Sequence, residues 1–482
     1  LNKVPSAAPR SADVLATRGS LQVNGKLAAT VAARIVDEVA ARGWPVGEVI
    51  GSEPELLERY GVSRAVFREA VRLVEHQHVA RMRRGPGGGL VVTEPDVTAV
   101  IDAAVIYLLR VGARLDEVFE ARLVLEEMVT DMAPGRVSEA GLAEIRALVE
   151  AEAAGTVVDQ RALHNLLAHV TGNPALELFV EMLSRLTTFY VANPREIAQP
   201  TFVEANHAHH KIADAVMAGD PAVARRRMGA HLRAEAEYIR ARRGTRQSLN
   251  IELALRGQDG GKRAEAVARA IFSRIVTEDL QPGALVGSEA DLMADHEVSR
   301  AVLREAVRLL EHHRIAAMRR GPGGGLFVAQ ADVSAVSDVV AVYLNRHGVH
   351  HGHLAEMRVG VELALVDRSA EADGAVLEQR LGEALLAEEH ATDEEMADVV
   401  HDLHAVIASL GGNRVLELLA RILIRLTRLQ DSQRTVTARR VIRAEVHRAH
   451  SGISEALIGG DRNLARHRLR RHLEVLAGEL GQ

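Results

Sequence analysis

The sequence predicts a mainly α protein in which one two-part plan is written twice: a small unit of short helices and a hairpin, then an all-helical bundle. Three observations carry this. The chain repeats itself at long range. Its longer stretches place apolar residues with a helical period. Two short helices joined by a tight turn, followed by a glycine-rich loop, occur once in each repeat.

The repeat is direct. Gly51-Ser52-Glu53 recurs as Gly287-Ser288-Glu289, an offset of 236. Between residues 62 and 92, 24 of 31 positions are identical to 298–328. The frame persists further on: Leu163-His164 pairs with Leu403-His404 at 240, and His231-Leu232 with His472-Leu473 at 241. A unit this long can hold domains of its own, so the repeat is a tandem duplication and not a solenoid. The 482 residues exceed what one hydrophobic core supports.

The elements follow in order. Residues 1–22 mix Pro, Ser, Ala and Arg without an apolar core and read as a disordered tail rather than a signal peptide. Glu53–Tyr60 reads as a short helix with Ser52 as N-cap, and Gly61 permits a tight turn. Ser63 caps a second helix over residues 64–77. Val79–Arg84, a loop at 85–89 and Leu90–Thr93 read as a two-stranded hairpin. Beyond it, apolar stripes of period 3.6 mark helices at 97–109, 115–133, 139–153, 158–171, 174–191, 203–218 and 221–241. Gly112, Pro134-Gly135, Gly172-Asn173-Pro174, Asn193-Pro194 and Gly219-Asp220-Pro221 break them. The domains expected are 23–95 and 262–331 for the helix-turn-helix units, 96–244 and 332–482 for the bundles, and a linker at 245–261.

Composition excludes more than it suggests. There is no cysteine, so neither a disulfide framework nor a thiolate metal site is available. No run of about 18 apolar residues suggests a membrane span. Lys3, Lys26, Lys211 and Lys262 are the only lysines among 59 basic residues, an arginine bias that points to coding composition. The net charge of −6 argues, taken alone, against nucleic acid.

Local charge says the opposite. Residues 63–84 hold six arginines against Glu69 and Glu75, a balance of +4, and residues 299–320 repeat it. Arg64, Arg68 and Arg72 share one helix face, as do Arg300, Arg304 and Arg308. On a recognition helix that face enters the major groove, with Ser63, Arg64, Ser299 and Arg300 nearest the bases. Arg83, Arg84 and Gly87, and Arg319, Arg320 and Gly323, suit phosphate or minor-groove contact from a loop bare of side chains. A solvated helix face would account for the arginines of one copy. Their recurrence with the Arg-Arg-Gly-Pro-Gly-Gly-Gly run favours DNA.

Ser52-Glu53-x-x-Leu56, Gly61-Val62-Ser63-Arg64, Arg68-Glu69-Ala70-Val71-Arg72 and the glycine loop resemble the winged helix-turn-helix domain of GntR-type transcriptional regulators. The resemblance implies operator contacts by Ser63, Arg64, Arg68, Ser299, Arg300 and Arg304. The family's arginine after Ser-Glu is replaced by Pro54 and Ala290, and the glycine of the second turn by Glu297.

The bundles carry histidines at matched spacing: His209 and His231, His450 and His472, with His164 and His404 on an earlier helix. Imidazoles from three helices can converge on zinc, nickel or manganese. Packing and hydrogen bonding in a polar pocket is the alternative. The whole unit resembles the FCD effector domain of FadR-subfamily GntR regulators, whose metal site adds an aspartate four residues before the first histidine. Here Gln160 and Val400 stand there, and His401 is a further candidate ligand. Arg122 and Arg358 are candidates for an effector carboxylate, or for an i, i+4 pair with Glu126 and Glu362.

Together these readings imply a ligand-responsive transcriptional regulator, a repressor, working in the bacterial cytoplasm on the nucleoid. Its partners would be a palindromic double-stranded DNA operator and a small organic acid or acyl-CoA. One chain would form an internal pseudo-dimer, with further self-association open. Two other classes compete: an architectural DNA-binding protein with inert bundles, and a histidine-metal enzyme, for which no accompanying nucleophile constellation is found.

Overall fold

The computed structural model describes residues 27–28, 30–36, 38–39, 42–76, 79–83, 85, 87–94, 97–156, 159–190, 199–242, 262–321, 323–392, 399–431 and 436–480. The expected tail, the expected linker, the Asn193-Pro194 break and Arg84 lie outside these. The chain folds as two compact units, residues 1–99 and 100–482.

In the first unit, β1 (Val49–Gly51) precedes α1 (Glu53–Tyr60) and α2 (Arg64–His76), which are followed by β2 (Ala80–Arg83) and β3 (Gly89–Val92). Ser52 and Glu55 form a capping box that satisfies two free N–H groups of α1. Gly61 ends it at φ 63°, in the left-handed region where glycine carries no Cβ penalty. The Ser63 hydroxyl accepts from Val66 N at 3.3 Å and starts α2. Leu56, Phe67, Ala70, Val74 and Leu90 are wholly buried and form the core between helices and sheet.

The sheet is antiparallel in the order β1-β3-β2. The sequence predicts only the β2–β3 hairpin. Val49–Gly51 is too short to show alternation, and it becomes a strand by pairing with β3. That pairing explains Gly89: a Cβ there would lie 2.5 Å from the Gly51 carbonyl oxygen. Its lack of a side chain serves the sheet, whereas Gly87, at φ 70°, has open space around it.

The second unit begins within α3 (Val97–Arg110). It continues through α4 (Leu115–Arg136), α5 (Glu139–Ala153), α6 (Ala162–His169), α7 (Pro174–Thr188), α8 (Gln199–Met217) and α9 (Pro221–Arg242). Next comes a second small unit: α10 (Lys262–Thr277), β4 (Leu285–Gly287), α11 (Glu289–Asp295), α12 (Arg300–His312), β5 (Ala316–Arg319) and β6 (Gly325–Val328), with sheet order β4-β6-β5. The chain then forms α13 (Val333–Arg346), α14 (His351–Ser369), α15 (Gly374–His390), α16 (Asp402–Leu410), α17 (Arg414–Asp431), α18 (Val436–Ile458) and α19 (Arg462–Leu480).

Several expected boundaries move: α7 ends at Thr188 rather than 191, and α8 starts at Gln199 rather than 203. Helix α4 runs through Pro134 to Arg136, although the proline lacks an N–H and crowds the Thr130 carbonyl; the buried packing of Thr130 and Ala133 carries the helix past it. Helix α6 starts at Ala162, since Asp159 turns back to accept from Arg161 N at 3.0 Å. Helix α11 is one residue shorter than α1, and Glu297 takes φ 50° where the first copy has glycine. Its carbonyl accepts from Arg263 Nη2 at 2.7 Å, which holds that turn.

The two bundles meet through α4 and α14 by reciprocal contacts. Asn173, the N-cap of α7, donates to His353 O at 3.1 Å and to Glu356 at 3.1 Å. Asn413, its counterpart, donates to Glu117 O at 3.2 Å and to Glu120 at 2.9 Å. Arg136 Nη2 reaches Glu356 Oε1 at 2.5 Å, and Arg368 Nη1 reaches Glu120 Oε2 at 2.9 Å. The asparagines and Glu120 and Glu356, which the repeat relates, thus exchange roles across the contact, the pattern of an isologous interface, whereas the two arginines make a like pair from different repeat positions, the equivalents of Arg136 and Arg368 being Ala372 and Met132. Asymmetries also mark the contact: Arg414, whose counterpart is Pro174, bonds Glu117, and Met128 fills the space at Gly360, where a Cβ would lie 2.2 Å from its sulfur. The repeat equivalents of Met128 and Gly360 are Ala364 and Val124.

Candidate metal centre and DNA-binding surfaces

Helices α6, α8 and α9 each bring one histidine to a common point. His231 Nε2 lies 3.3 Å from His209 Nε2 and 3.3 Å from His164 Nε2. In the second bundle α16, α18 and α19 repeat this: His450 Nε2 is 3.2 Å from His404 Nε2 and 3.2 Å from His472 Nε2. A tetrahedral zinc with Zn–N of about 2.0–2.1 Å would separate its ligand nitrogens by about 3.3 Å. The spacing fits.

The tautomers fit as well. His164 Nδ1 is bound to Glu126, and His209 Nδ1 lies 3.0 Å from Glu152 Oε2. His404 Nδ1 lies 2.5 Å from Glu362 and His450 Nδ1 2.8 Å from Glu388. A carboxylate that takes the Nδ1 proton leaves Nε2 as a bare lone pair, which is how such second partners prepare a metal ligand. Without a cation, two or three lone pairs would face one another, and one proton on His231 or His472 could serve only one neighbour at a time.

Burial disfavours the charged form of four of the rings. It pushes His231 and His472 well below the ordinary histidine range, helped by the neighbouring imidazoles. His209 is lowered by burial against the pull of Glu152. His404 is lowered by burial to about 4, although Glu362 opposes this. Burial would push Glu126 up, but Arg122 and His164 hold its carboxyl down at about 2. Arg358 and His404 likewise overcome burial and hold Glu362 low.

Arg122 and Arg358 therefore sit behind the histidines. Arg122 Nε donates to Glu126 Oε1 at 2.7 Å, and Glu126 Oε2 binds His164. Arg358 Nε donates to Glu362 Oε1 at 2.5 Å, and Glu362 Oε2 binds His404. Both arginines are buried, so the i, i+4 pair is present in each copy. Glu152 and Glu388 had gone unremarked. They are repeat equivalents at the offset of 236, which is the signal that would have found them.

The expected departures are clear in place. Asp159 is exposed and paired with Arg161, away from the histidines. Gln160 donates through Nε2 to Asn206 Oδ1 at 2.9 Å, leaving its buried Oε1 without a hydrogen-bond partner. His401 is buried at the start of α16, but the close group among the described residues is His404, His450 and His472 alone.

On the small units, Ser63, Arg64, Arg68 and Arg72 are exposed on or beside α2, and Ser299, Arg300, Arg304 and Arg308 on or beside α12. Arg64 and Arg68 both approach Glu53 Oε1, at 3.4 and 3.5 Å, and Arg300 approaches Glu289 at 3.1 Å. Arg72 and Arg308 pair with Glu69 and Glu305 at 2.9 Å. These are solvated pairs of small energy that a phosphate can displace. Arg83 Nη2 donates to Gly87 O at 2.9 Å, closing the loop between β2 and β3. Arg319 lies over the Phe327 ring at 4.3 Å, and Arg320 and Gly323 are exposed beside it.

Comparison with known proteins agrees with this geometry. The FCD domain family matches residues 117–234 and again 353–475, half of the chain in total. The family described as bacterial regulatory proteins, gntR family, matches residues 263–328. The chain belongs to the GntR family of regulators with FCD domains. The uncharacterized HTH-type transcriptional regulator Rv0494 of Mycobacterium tuberculosis is 29% identical over 227 residues, 45% of this chain and 88% of that protein. The HTH-type transcriptional regulator LutR of Bacillus subtilis is 30% identical over 197 residues, 39% of this chain and 89% of that protein. A solved Streptococcus agalactiae GntR structure is 22% identical, covers 44% of this chain and 99% of its own, and gives a TM-score of 0.32. Each relative is about the size of one repeat. Among the described residues no helix is long and apolar enough to cross a membrane.

Proposed function

We propose that this GntR-family regulator works as an internal pseudo-dimer, one chain supplying both winged helix-turn-helix domains to a palindromic operator. The observation that carries the reading is the reciprocal contact of the bundles, in which Asn173 and Glu356 mirror Asn413 and Glu120, each glutamate also taking an arginine of the other bundle, Arg136 or Arg368. An isologous contact of this kind is what a twofold pair of separate subunits would make. Helices α2 and α12 are the recognition helices, presenting Ser63, Arg64, Arg68, Ser299, Arg300 and Arg304 to base edges and phosphates.

The bundles sense a small organic acid. A divalent metal held by His164, His209 and His231, or by His404, His450 and His472, would offer an open position to an effector oxygen. The chain's own residues do the rest: Glu126, Glu152, Glu362 and Glu388 fix the imidazole tautomers, Arg122 fixes Glu126 and Arg358 fixes Glu362. Arg110 of α3 gives the sensing bundle a grip on the second small unit. It donates to Ala329 O at 2.7 Å and to Ile315 O, on either side of the β5–β6 hairpin. A change in the bundle that shifts α3 would move that hairpin, with a coupling of ~1–3 kcal/mol. The reading is of a repressor that releases its operator when effector binds.

The test is a chain lacking residues 245–482, assayed on the full operator at matched salt. Much weaker binding than the whole chain is expected, and equal affinity contradicts the pseudo-dimer.

A further inference from the structure

The two bundles share their histidines and buried carboxylates, but not the surroundings of the buried arginine. In the first, Arg122 has two carboxylates: Glu126, and Glu235 Oε2 at 2.9 Å from Nη1. Glu235 stands four residues, one helical turn, after His231 on α9. In the second, the position one turn after His472 on α19 is Leu476. Among the described residues Arg358 has Glu362 alone as its ion-pair partner, and its buried Nη2 has no hydrogen-bond partner.

We propose that the two bundles have diverged into one ligand-taking site and one self-filled site. The C-terminal bundle takes a small carboxylate beside Arg358, and in the N-terminal bundle the chain's own Glu235 occupies the corresponding place. This rests on the effector reading above and narrows it to one effector per chain.

The physical case is one of charge and satisfaction. A buried guanidinium is costly unless its donors are met, and planar carboxylates meet them best. Arg358 is 3% exposed and still has a donor to give. Arg122 is just as buried, yet is bracketed by Glu126 and Glu235, with Thr187 Oγ1 at 3.5 Å from the same Nη1. The remaining buried charges match: Glu152 answers Glu388, each on the second histidine. The N-terminal site thus carries one more negative charge than the C-terminal site, and that charge repels an incoming anion. Glu235 comes from the edge, with its side chain 30% exposed, so it covers Arg122 from the solvent side. At the equivalent position the second bundle has Leu476, half-buried and uncharged, which brings no carboxylate to compete with an organic acid.

The experiment uses the full chain loaded with zinc and titrated calorimetrically with acetate, succinate and citrate. Binding of at least one of them at one site per chain is expected. Arg358→Leu should weaken it by about 10- to 100-fold, the loss of a hydrogen-bonded charged partner. Two further variants act at the edge and spare the buried arginines. Glu235→Leu should raise the stoichiometry to two per chain, and Leu476→Glu should abolish the single site. Two equivalent sites in the wild-type chain, no carboxylate binding at all, or a stoichiometry unmoved by Glu235→Leu would overturn the proposal. DNA binding by the same preparations without carboxylate reads the regulator function separately: two equivalent sites, or a stoichiometry unmoved by Glu235→Leu, overturn this inference alone, no carboxylate site with intact DNA binding strikes the effector reading with it, and lost DNA binding strikes the regulator reading itself.

Discussion

The N-terminal and C-terminal bundles hold the same three histidines at the same 3.2–3.3 Å spacing, each with carboxylates behind two of the rings. They differ at Glu235 against Leu476, and at Met128 packed on Gly360 against Val124 and Ala364. What is common is the part that holds a ligand atom in place. What differs is the part that decides whether an anion is welcome, and the part that decides which bundle packs on which. Duplication inside one chain permits this. Two identical subunits must change together, whereas two linked copies can change apart.

The comparison is sharpest at the buried carboxylates. Glu362→Gln leaves Arg358 without an ion-pair partner and should destabilise the chain by about 3–5 kcal/mol, the usual cost of orphaning a buried charge. Glu126→Gln should cost clearly less, because Glu235 still faces Arg122. Urea unfolding of the metal-free proteins measures both, and equal losses would remove the asymmetry.

Gly360→Val comes next. The new methyls meet Met128, and overpacking of this kind costs about 1–3 kcal/mol. Met128→Ala in the same chain should restore most of it. A double-mutant cycle showing no coupling would mean that the two residues do not define the contact.

Arg64→Ala and Arg300→Ala should each remove ~1–3 kcal/mol of specific DNA binding if the arginine reads a guanine. The two losses should be alike, since a palindrome presents the same half-site to both. Binding measured on one operator at fixed salt tests this, and a loss confined to one copy would break the symmetry.

The smallest effect belongs to the turns. Glu297→Gly should stabilise the second small unit by about 1 kcal/mol, because a left-handed residue with a Cβ becomes a glycine. Gly61→Ala should destabilise the first by a similar amount. Thermal unfolding curves that move the other way would assign the strain elsewhere.

The sequence made the helices, the turn glycines, the caps at Ser52 and Ser63 and the histidine triplets legible, because each rests on local spacing. It hid β1 and β4, three-residue strands that exist through pairing. It hid the carriage of α4 through Pro134, where bundle packing overrides a local breaker. Asn173 is legible only as part of the break at Gly172-Asn173-Pro174, and Asn413 only as its counterpart in the repeat. Their work as helix caps and as donors across the bundle contact depends on which carbonyls the fold brings near. Glu235 was invisible for the same reason: one turn beyond His231, its partner is 113 residues away.

The central claim is that one chain carries both halves of a DNA-binding regulator. The most direct measurement is the mass of the complex on a single palindromic operator, by light scattering or native mass spectrometry, with the operator taken from genome-wide mapping of bound DNA. One chain per operator is the expected result. Two chains per operator, each giving one winged domain, would contradict it.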